Sequence, residues 1–235
     1  MKYKYCVPLS KSENIFVESK YINDKLLPIK IKTNRLLLKP IWNYDVKSTY
    51  KLYQSQINDN PDYIPSPEMK SLNDAAKHRQ KKRKQFNENI SCNYILEKRN
   101  NKNKLGFSGF SVDWDKQKGS YYIWLKPKYR GNAYSLERAV AFTSIMFEIL
   151  KLESVKISII IDNRSSIRSA WKYIREFEGS ATGLEFKSHD VTDSERRDDT
   201  IKFSITKEQY FRSLYDTSDK FDSIDKIKDI LDSIQ

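Results

Sequence analysis

The alternation of apolar and polar positions changes character several times along this chain, and each change marks an element. Residues 1–30 show no sustained period and are punctuated by Pro8 and Pro28, which predicts an N-terminal arm with one short strand. From Ile29 the pattern sharpens. IKIKTNRLLLKPI reads as strand up to Pro40, after which Asn43 or Asp45 can cap a helix over 45–57. INDNPDYIPSPEM carries three prolines and is predicted to be a loop. Ser71, with Asp74 three residues on, approximates a capping box and opens a helix over 71–87. NYILEK (93–98) and LGFSGFSV (105–112) flank the turn-rich RNNKNK as a hairpin, and SYYIWLK (120–126) follows the turn DKQKG as a third strand.

The helix predicted over 134–151 places Leu136, Val140, Met146, Phe147 and Leu150 at helical spacing, which marks its buried side. SVKISIII (154–161) is a β-branched buried strand, and DNRSS starts a further helix to residue 176. Strands near 183–187 and 201–205 flank the polar VTDSERRDD. Residues 207–235 read as helical, with Ile224, Ile227, Leu231 and Ile234 on one stripe that packs within the chain or against a second copy. No internal repeat is present. This order of elements is mixed α/β, of the α+β kind.

Composition adds limits. A hydrophobic fraction of 38% is low beside a charged fraction of 31%, but 15 Tyr, 11 Phe and 4 Trp supply core area. At 235 residues the simplest division is an arm at 1–30, one domain at 31–206 and a helical extension at 207–235. No stretch approaches the ~20 apolar residues of a membrane span, and MKYKYCVPLSKS lacks the apolar middle of a secretory signal. A soluble, cytoplasmic protein with no membrane partner is therefore expected. Cys6, Cys92, His78 and His189 are too few for a disulfide framework or a zinc site, so free thiols and no metal are expected. The net charge of +12 suits a nucleic acid, a ribosomal surface or an acidic substrate. Its densest run is KHRQKKRK (77–84), on a predicted helix, where a solvated face is the alternative to a capture surface.

Candidate chemistry centres on YIWLKPKYRGNAYS (122–135), a strand entering a turn that opens a helix. The free first-turn amides of a helix, with the positive end of its dipole, make an anion site that a pyrophosphate fits. The segment resembles the R/Q-x-x-G-x-G/A loop of the GCN5-related N-acetyltransferases, with Arg130 in first position. Other segments are similar to that superfamily's ribosomal-protein N-terminal acetyltransferase (Rim-type) branch: NRLLLKPI to its opening strand, DNRSSIRSAW to its D-N-x-x-S segment, FEGSATGLEF to the stretch with its base, and DDTIKFSI to its closing strand.

The resemblance implies a central, mostly antiparallel, splayed sheet flanked by helices, and transfer of acetyl from acetyl-coenzyme A to a primary amine on a protein N-terminus or Lys. It implies that Arg130, Gly131, Asn132, Ala133, Tyr134 and Ser135 hold the coenzyme pyrophosphate, and that Ile123, Trp124 and Leu125 bind the pantetheine. Asn163 would contact the coenzyme, Ser166 would protonate the leaving thiolate, and Glu185 would take the proton from the amine. Ala133 stands where the family has its central Gly, and Ser135 where Gly or Ala is usual; a methyl at 133 is compatible with a negative φ there. A Tyr acid used by other members would fall near Ala170, which leaves Trp171 and Tyr173 as expected packing residues. The acceptor would be a protein or peptide, ribosomal or associated with transfer RNA, and the enzyme a monomer or homodimer. Two other functions fit the charge: a degenerate acetyltransferase fold that binds RNA, and an acetyltransferase acting on aminoacyl-tRNA.

Overall fold

A computed structural model describes residues 3–8, 14–59, 69–190 and 197–215. Their elements are β1 (Tyr3–Pro8), β2 (Asn14–Ile22), β3 (Lys25–Lys32), β4 (Leu36–Pro40), α1 (Val46–Asn58), α2 (Leu72–Asn87), β5 (Ser91–Lys98), β6 (Lys104–Asp113), β7 (Lys118–Leu125), α3 (Tyr134–Ser144), β8 (Ser154–Ile160), α4 (Arg164–Glu176), β9 (Ser180–Asp190), β10 (Arg197–Thr206) and α5 (Lys207–Tyr215). The strands form one sheet in the order β1-β2-β3-β4-β5-β6-β7-β8-β10-β9. Neighbours are antiparallel except β7 and β8, which run parallel.

The predicted succession from β4 to β10 is present, and the caps explain two helix starts. Asp45 accepts from the Ser48 amide at 2.6 Å, and Ser71 with Asp74 forms a full capping box. The loop predicted over INDNPDYIPSPEM falls mostly on residues outside the described ones, as does the stripe Ile224, Ile227, Leu231 and Ile234. No described helix is long and apolar enough to cross a membrane.

The N-terminal region differs from the expected arm. β2 and β3 pair along their length and bury Ile15, Val17, Leu27 and Ile31 in the main core. Two features hid this alternation. Ser19 occupies an inward position with 0% exposure, and Pro28 sits opposite it at a register shift. A proline is tolerated there because a bulge removes the need for its amide. Its carbonyl accepts from the buried Tyr94 hydroxyl at 2.7 Å.

Helices cover both faces. On one, α3, α4 and α5 pack Ala139, Phe142, Ile167, Ile174 and Tyr210 into the larger cluster. On the other, α1 and α2 bring Leu52, Tyr53 and Ala75 against Ile95, Phe107 and Trp124. Alternation along β7 therefore sends Tyr121 and Leu125 to the first face and Trp124 to the second. The expected helix 134–151 is α3 followed by a π turn, Ile145–Ile149, closed by the Leu150 amide to the Ile145 carbonyl at 2.9 Å. Its inner side also differs: Arg138, Ala139 and Phe142 are buried, while Leu136 and Val140 are only partly so.

Candidate active site

The parallel pair is short. β7 and β8 align only at Lys118 with Ser154 and Gly119 with Val155. Beyond this β7 continues beside β6 to Leu125 and β8 beside β10 to Ile160, so the sheet splits between them. Gly119 marks the closed end of the split; a Cβ there would lie 2.6 Å from the Met146 sulfur and would push that side chain, in the π turn after α3, off the junction.

A cavity of about 570 Å³ passes through the split. On the α3/α4 side it is lined by Ser135, Arg138, Asn163, Ser166, Ser169 and Tyr173. On the α1/α2 side it meets Tyr53, Gln56, His78, Lys82 and Phe107. Tyr121 to Trp124 of β7 and Ile157 to Ile160 of β8 form its walls. Ligands entering from opposite faces of the sheet can meet inside it.

The loop beyond the open end is held from several directions. Buried Glu137 accepts from the Thr33 hydroxyl, the Arg35 amide (2.8 Å) and Arg35 Nε (2.6 Å), while Arg35 Nη1 donates to the Asn132 carbonyl at 3.0 Å. Arg130 turns back toward the sheet: its Nε donates to the Leu125 carbonyl at 3.0 Å and Nη2 pairs with Asp59, which also accepts from Trp124 Nε1 at 2.9 Å. The loop is thus tied to Arg35 just before β4, to β7 and to the end of α1. Ala133 is the N-cap of α3 and offers no side-chain hydrogen bond, which leaves the first-turn amides open to an anion.

Ala133 has φ +58°, so the negative φ under which its methyl would fit is not what the backbone adopts. An L-residue in this left-handed region costs roughly 1–2 kcal/mol. The cross-ties through Arg35 and Arg130 offset that strain.

Of the residues expected to bind coenzyme, Ile123, Trp124, Ser135, Asn163 and Ser166 line the cavity. Arg130, Gly131, Asn132, Ala133 and Tyr134 lie outside its lining, in and just after the loop, and Leu125 belongs to the buried core. Asn163 caps α4, its Oδ1 accepting from the Ser166 amide and the Ser165 hydroxyl, both at 3.1 Å. Ser135 and Ser169 share a 2.9 Å hydrogen bond that joins α3 to α4. Glu185 is not brought to the cavity. It is exposed on β9 and ion-paired with Lys202.

Among the lining residues that the sequence reading gave no role are Tyr173, His78 and Arg138. Tyr173, expected only to pack, faces the cavity with its ring 5.9 Å from Tyr121, and burial pushes its hydroxyl up to about 12. His78 meets the Tyr53 ring edge-on at 5.0 Å, and Tyr53 stacks on Phe107 at 4.2 Å. Burial, with Lys82 and Lys81 nearby, lowers the His78 imidazole to about 4, so it is neutral at pH 7. Arg138 is buried within α3. The basic helix accordingly divides three ways: His78 and Lys82 face the cavity, Arg79 Nη2 donates to the Trp42 and Tyr44 carbonyls, and Lys77, Lys81, Arg83 and Lys84 are exposed.

The comparisons with known proteins agree with this geometry. The family model described as an acetyltransferase (GNAT) domain matches residues 35–173, more than half of the chain. No curated protein matches the chain in sequence. Among solved structures, a GNAT-family protein from Chromobacterium violaceum is similar with a TM-score of 0.64 at 16% identity, covering 80% of this chain and 90% of that one. A protein from Vibrio cholerae described as a ribosomal-protein-serine acetyltransferase has a TM-score of 0.62 at 18% identity, covering 75% and 97%. A spermidine N-acetyltransferase from Vibrio cholerae, in complex with CoA and spermine, has a TM-score of 0.59 at 14% identity, covering 75% and 98%. At these identities the structures speak for the fold, and the family model speaks for the family. With its split sheet, its uncapped helix start and that match, the chain belongs to the GNAT acetyltransferases and is an acetyl-coenzyme A dependent N-acetyltransferase.

Proposed function

We propose that this enzyme acetylates the α-amino group of a protein or peptide N-terminus. The observation that carries the reading is the charge of the cavity. Its described lining holds Lys82 and Arg138 and neither Asp nor Glu, and the imidazole of His78 is neutral at pH 7. Such a lining repels an ammonium group and accepts a neutral amine. At pH 7 roughly one α-amine in seven is neutral, against roughly one Lys side chain in 2,500. A polyamine, cationic along its length, fits this lining less well still.

In this reading the first-turn amides of α3 hold the coenzyme pyrophosphate, with the pantetheine between β7 and β8. Acetyl-coenzyme A supplies the activated acyl group. The neutral amine enters from the α1/α2 side, where Tyr53 and Phe107 shape the approach and His78 accepts a hydrogen bond from the attacking nitrogen. Ser166 on α4 protonates the departing thiolate. Glu185, on the exposed side of β9, is left out of the proton path. The exposed Lys77, Lys81, Arg83 and Lys84 favour an acceptor presented on an acidic surface, such as a ribosomal one. Because the same basic helix suits transfer RNA, aminoacyl-tRNA is a second acceptor to be tested.

The test is a comparison of kcat/KM for a peptide with a free N-terminus, the same peptide N-blocked with an internal Lys, spermidine, and aminoacyl-tRNA. The free α-amine should lead Lys and spermidine by about 100-fold or more, in line with the neutral fractions. Equal or faster turnover of spermidine would overturn the reading, and a preference for aminoacyl-tRNA over the peptide would select the second acceptor.

A further inference from the structure

We propose that the enzyme selects acceptor peptides that carry a side-chain carboxylate in their first two residues, and that Lys82 is the residue that reads it. The inference rests on the reading that an α-amine meets His78, and it goes beyond that reading by naming the sequence that follows the amine.

Lys82 stands four residues after His78 on α2, so the two share one face of the helix with their Cβ atoms roughly 6 Å apart, and both line the cavity. It is half-buried, yet among the described residues it has no hydrogen bond and no ion pair. By contrast the half-buried Lys39 meets the Glu97 carboxylate at 3.1 Å. Burial, and then Lys81 beside it, pull the Lys82 ammonium below its usual range. On the α1/α2 side of the described lining Lys82 is the one charged residue, since His78 is neutral at pH 7. A cation set in a cavity without carboxylates is offset by one that enters with the ligand.

Topology identifies which part of the acceptor reaches it. Helix α2 packs on β5 and joins it through three residues, so the two run antiparallel. Ser91, at the start of β5, is level with Ser111 and Ser120, whereas Ile95 is level with Phe107 and Trp124. His78 sits by Tyr53 over Phe107, and Lys82 therefore lies one turn nearer the Ser120 level. Tyr122 stands between these levels on the same face, 49% exposed. Its hydroxyl donates to Asn93 Oδ1 at 2.8 Å, and its ring lies so close over Gly109 that a Cβ there would come within 2.8 Å of it. The ring is thus a fixed platform beside the cavity. Past it the sheet is uncovered, with Ser120, Lys156 and Ser158 exposed. Lys202 is level with Ser158, and the Glu185 carboxylate nearby is already paired with Lys202, so this face also favours acidic side chains. An acceptor whose amine meets His78 leaves the cavity over Tyr122 and past Lys82. An extended chain advances about 3.5 Å per residue, so the first two side chains are the ones within reach of the Lys82 ammonium.

The test measures kcat/KM with acetyl-coenzyme A for two pairs of peptides with free N-termini. Members of a pair differ only by Asp against Asn, at the first residue in one pair and at the second in the other. The wild type should favour Asp by about tenfold in at least one pair, and Lys82→Met should bring that ratio close to one. Lys82→Glu should reverse the selection, so that Lys is favoured over Asn at the same position, a change that loss of structure alone does not produce. Equal turnover of Asp and Asn in both pairs by the wild type would overturn the proposal whether or not the variants fold, as would a ratio that survives Lys82→Met. If the wild type acetylates none of the four peptides, the reading of the acceptor falls and the proposal with it, whereas four peptides turned over equally sink the selection by Lys82 alone.

Discussion

The two halves of the cavity are built differently. The half proposed to hold the donor is mostly backbone and short polar side chains: an uncapped helix start, the edge of a split sheet, and Ser135, Asn163, Ser166 and Ser169 within one turn or two of a helix N-terminus. The half proposed for the acceptor is side chains alone, with Tyr53 and Gln56 from α1, His78 and Lys82 from α2 and Phe107 from β6, gathered across more than fifty residues. A site made from consecutive residues keeps its form in the sequence. One assembled from separate helices takes its form only when they dock. The donor half can stay the same in many enzymes while the acceptor half changes, which is why the fold alone does not name the acceptor.

The comparison can be broken first at the donor loop. Arg130→Glu sets a carboxylate against Asp59 and beside the proposed phosphate site, and acetyl-coenzyme A should bind about 100-fold more weakly by calorimetry. Unchanged affinity would show that the loop is held without this clamp.

The acceptor half can be probed through pH. The folded His78 is depressed from 6.5 to about 4, so its contribution to stability is full above pH 6.5 and is lost as pH falls through 4. Stability should drop by up to about 3 kcal/mol between those limits, and His78→Gln should flatten that part of the profile in denaturant unfolding. A profile identical to wild type would place His78 in contact with water.

Smaller effects are expected from the exposed charges. Replacing Lys77, Lys81, Arg83 and Lys84 with Gln should raise KM for an acidic acceptor by a few fold, roughly, and remove its salt dependence while leaving the affinity for acetyl-coenzyme A unchanged. The smallest change is at the strained loop residue. Ala133→Gly removes an alanine from φ +58° and should stabilise the protein by about 0.5–1 kcal/mol in thermal unfolding, less than the full strain because glycine adds freedom to the unfolded chain.

How far each region could be read follows from the same contrast. Strands β4 to β8, the Asp45 cap, the Ser71–Asp74 capping box and the turn before α3 are local signals, and the structure bears them out. β2 and β3 were hidden because Ser19 and Pro28 interrupt their alternation, and only the register shift between them shows why both are tolerated. His78 looked like one residue of a solvated basic run, since its inward direction depends on how α2 rotates against α1. Arg138 did leave a trace, because an arginine four residues before Phe142 stands within the apolar stripe of α3. The backbone at Ala133 could not be read, because an alanine gives no sign of a positive φ that the surrounding ties impose.

A single cavity joining donor and acceptor through the split sheet is the central claim, and a conjugate of coenzyme A with the N-terminal amine of a peptide, linked through an acetyl bridge, tests it most directly by calorimetry. If both halves open into one cavity, the conjugate should bind about 100-fold or more tightly than coenzyme A alone, because the second part binds at high effective concentration. A conjugate that binds no more tightly than coenzyme A would contradict the claim.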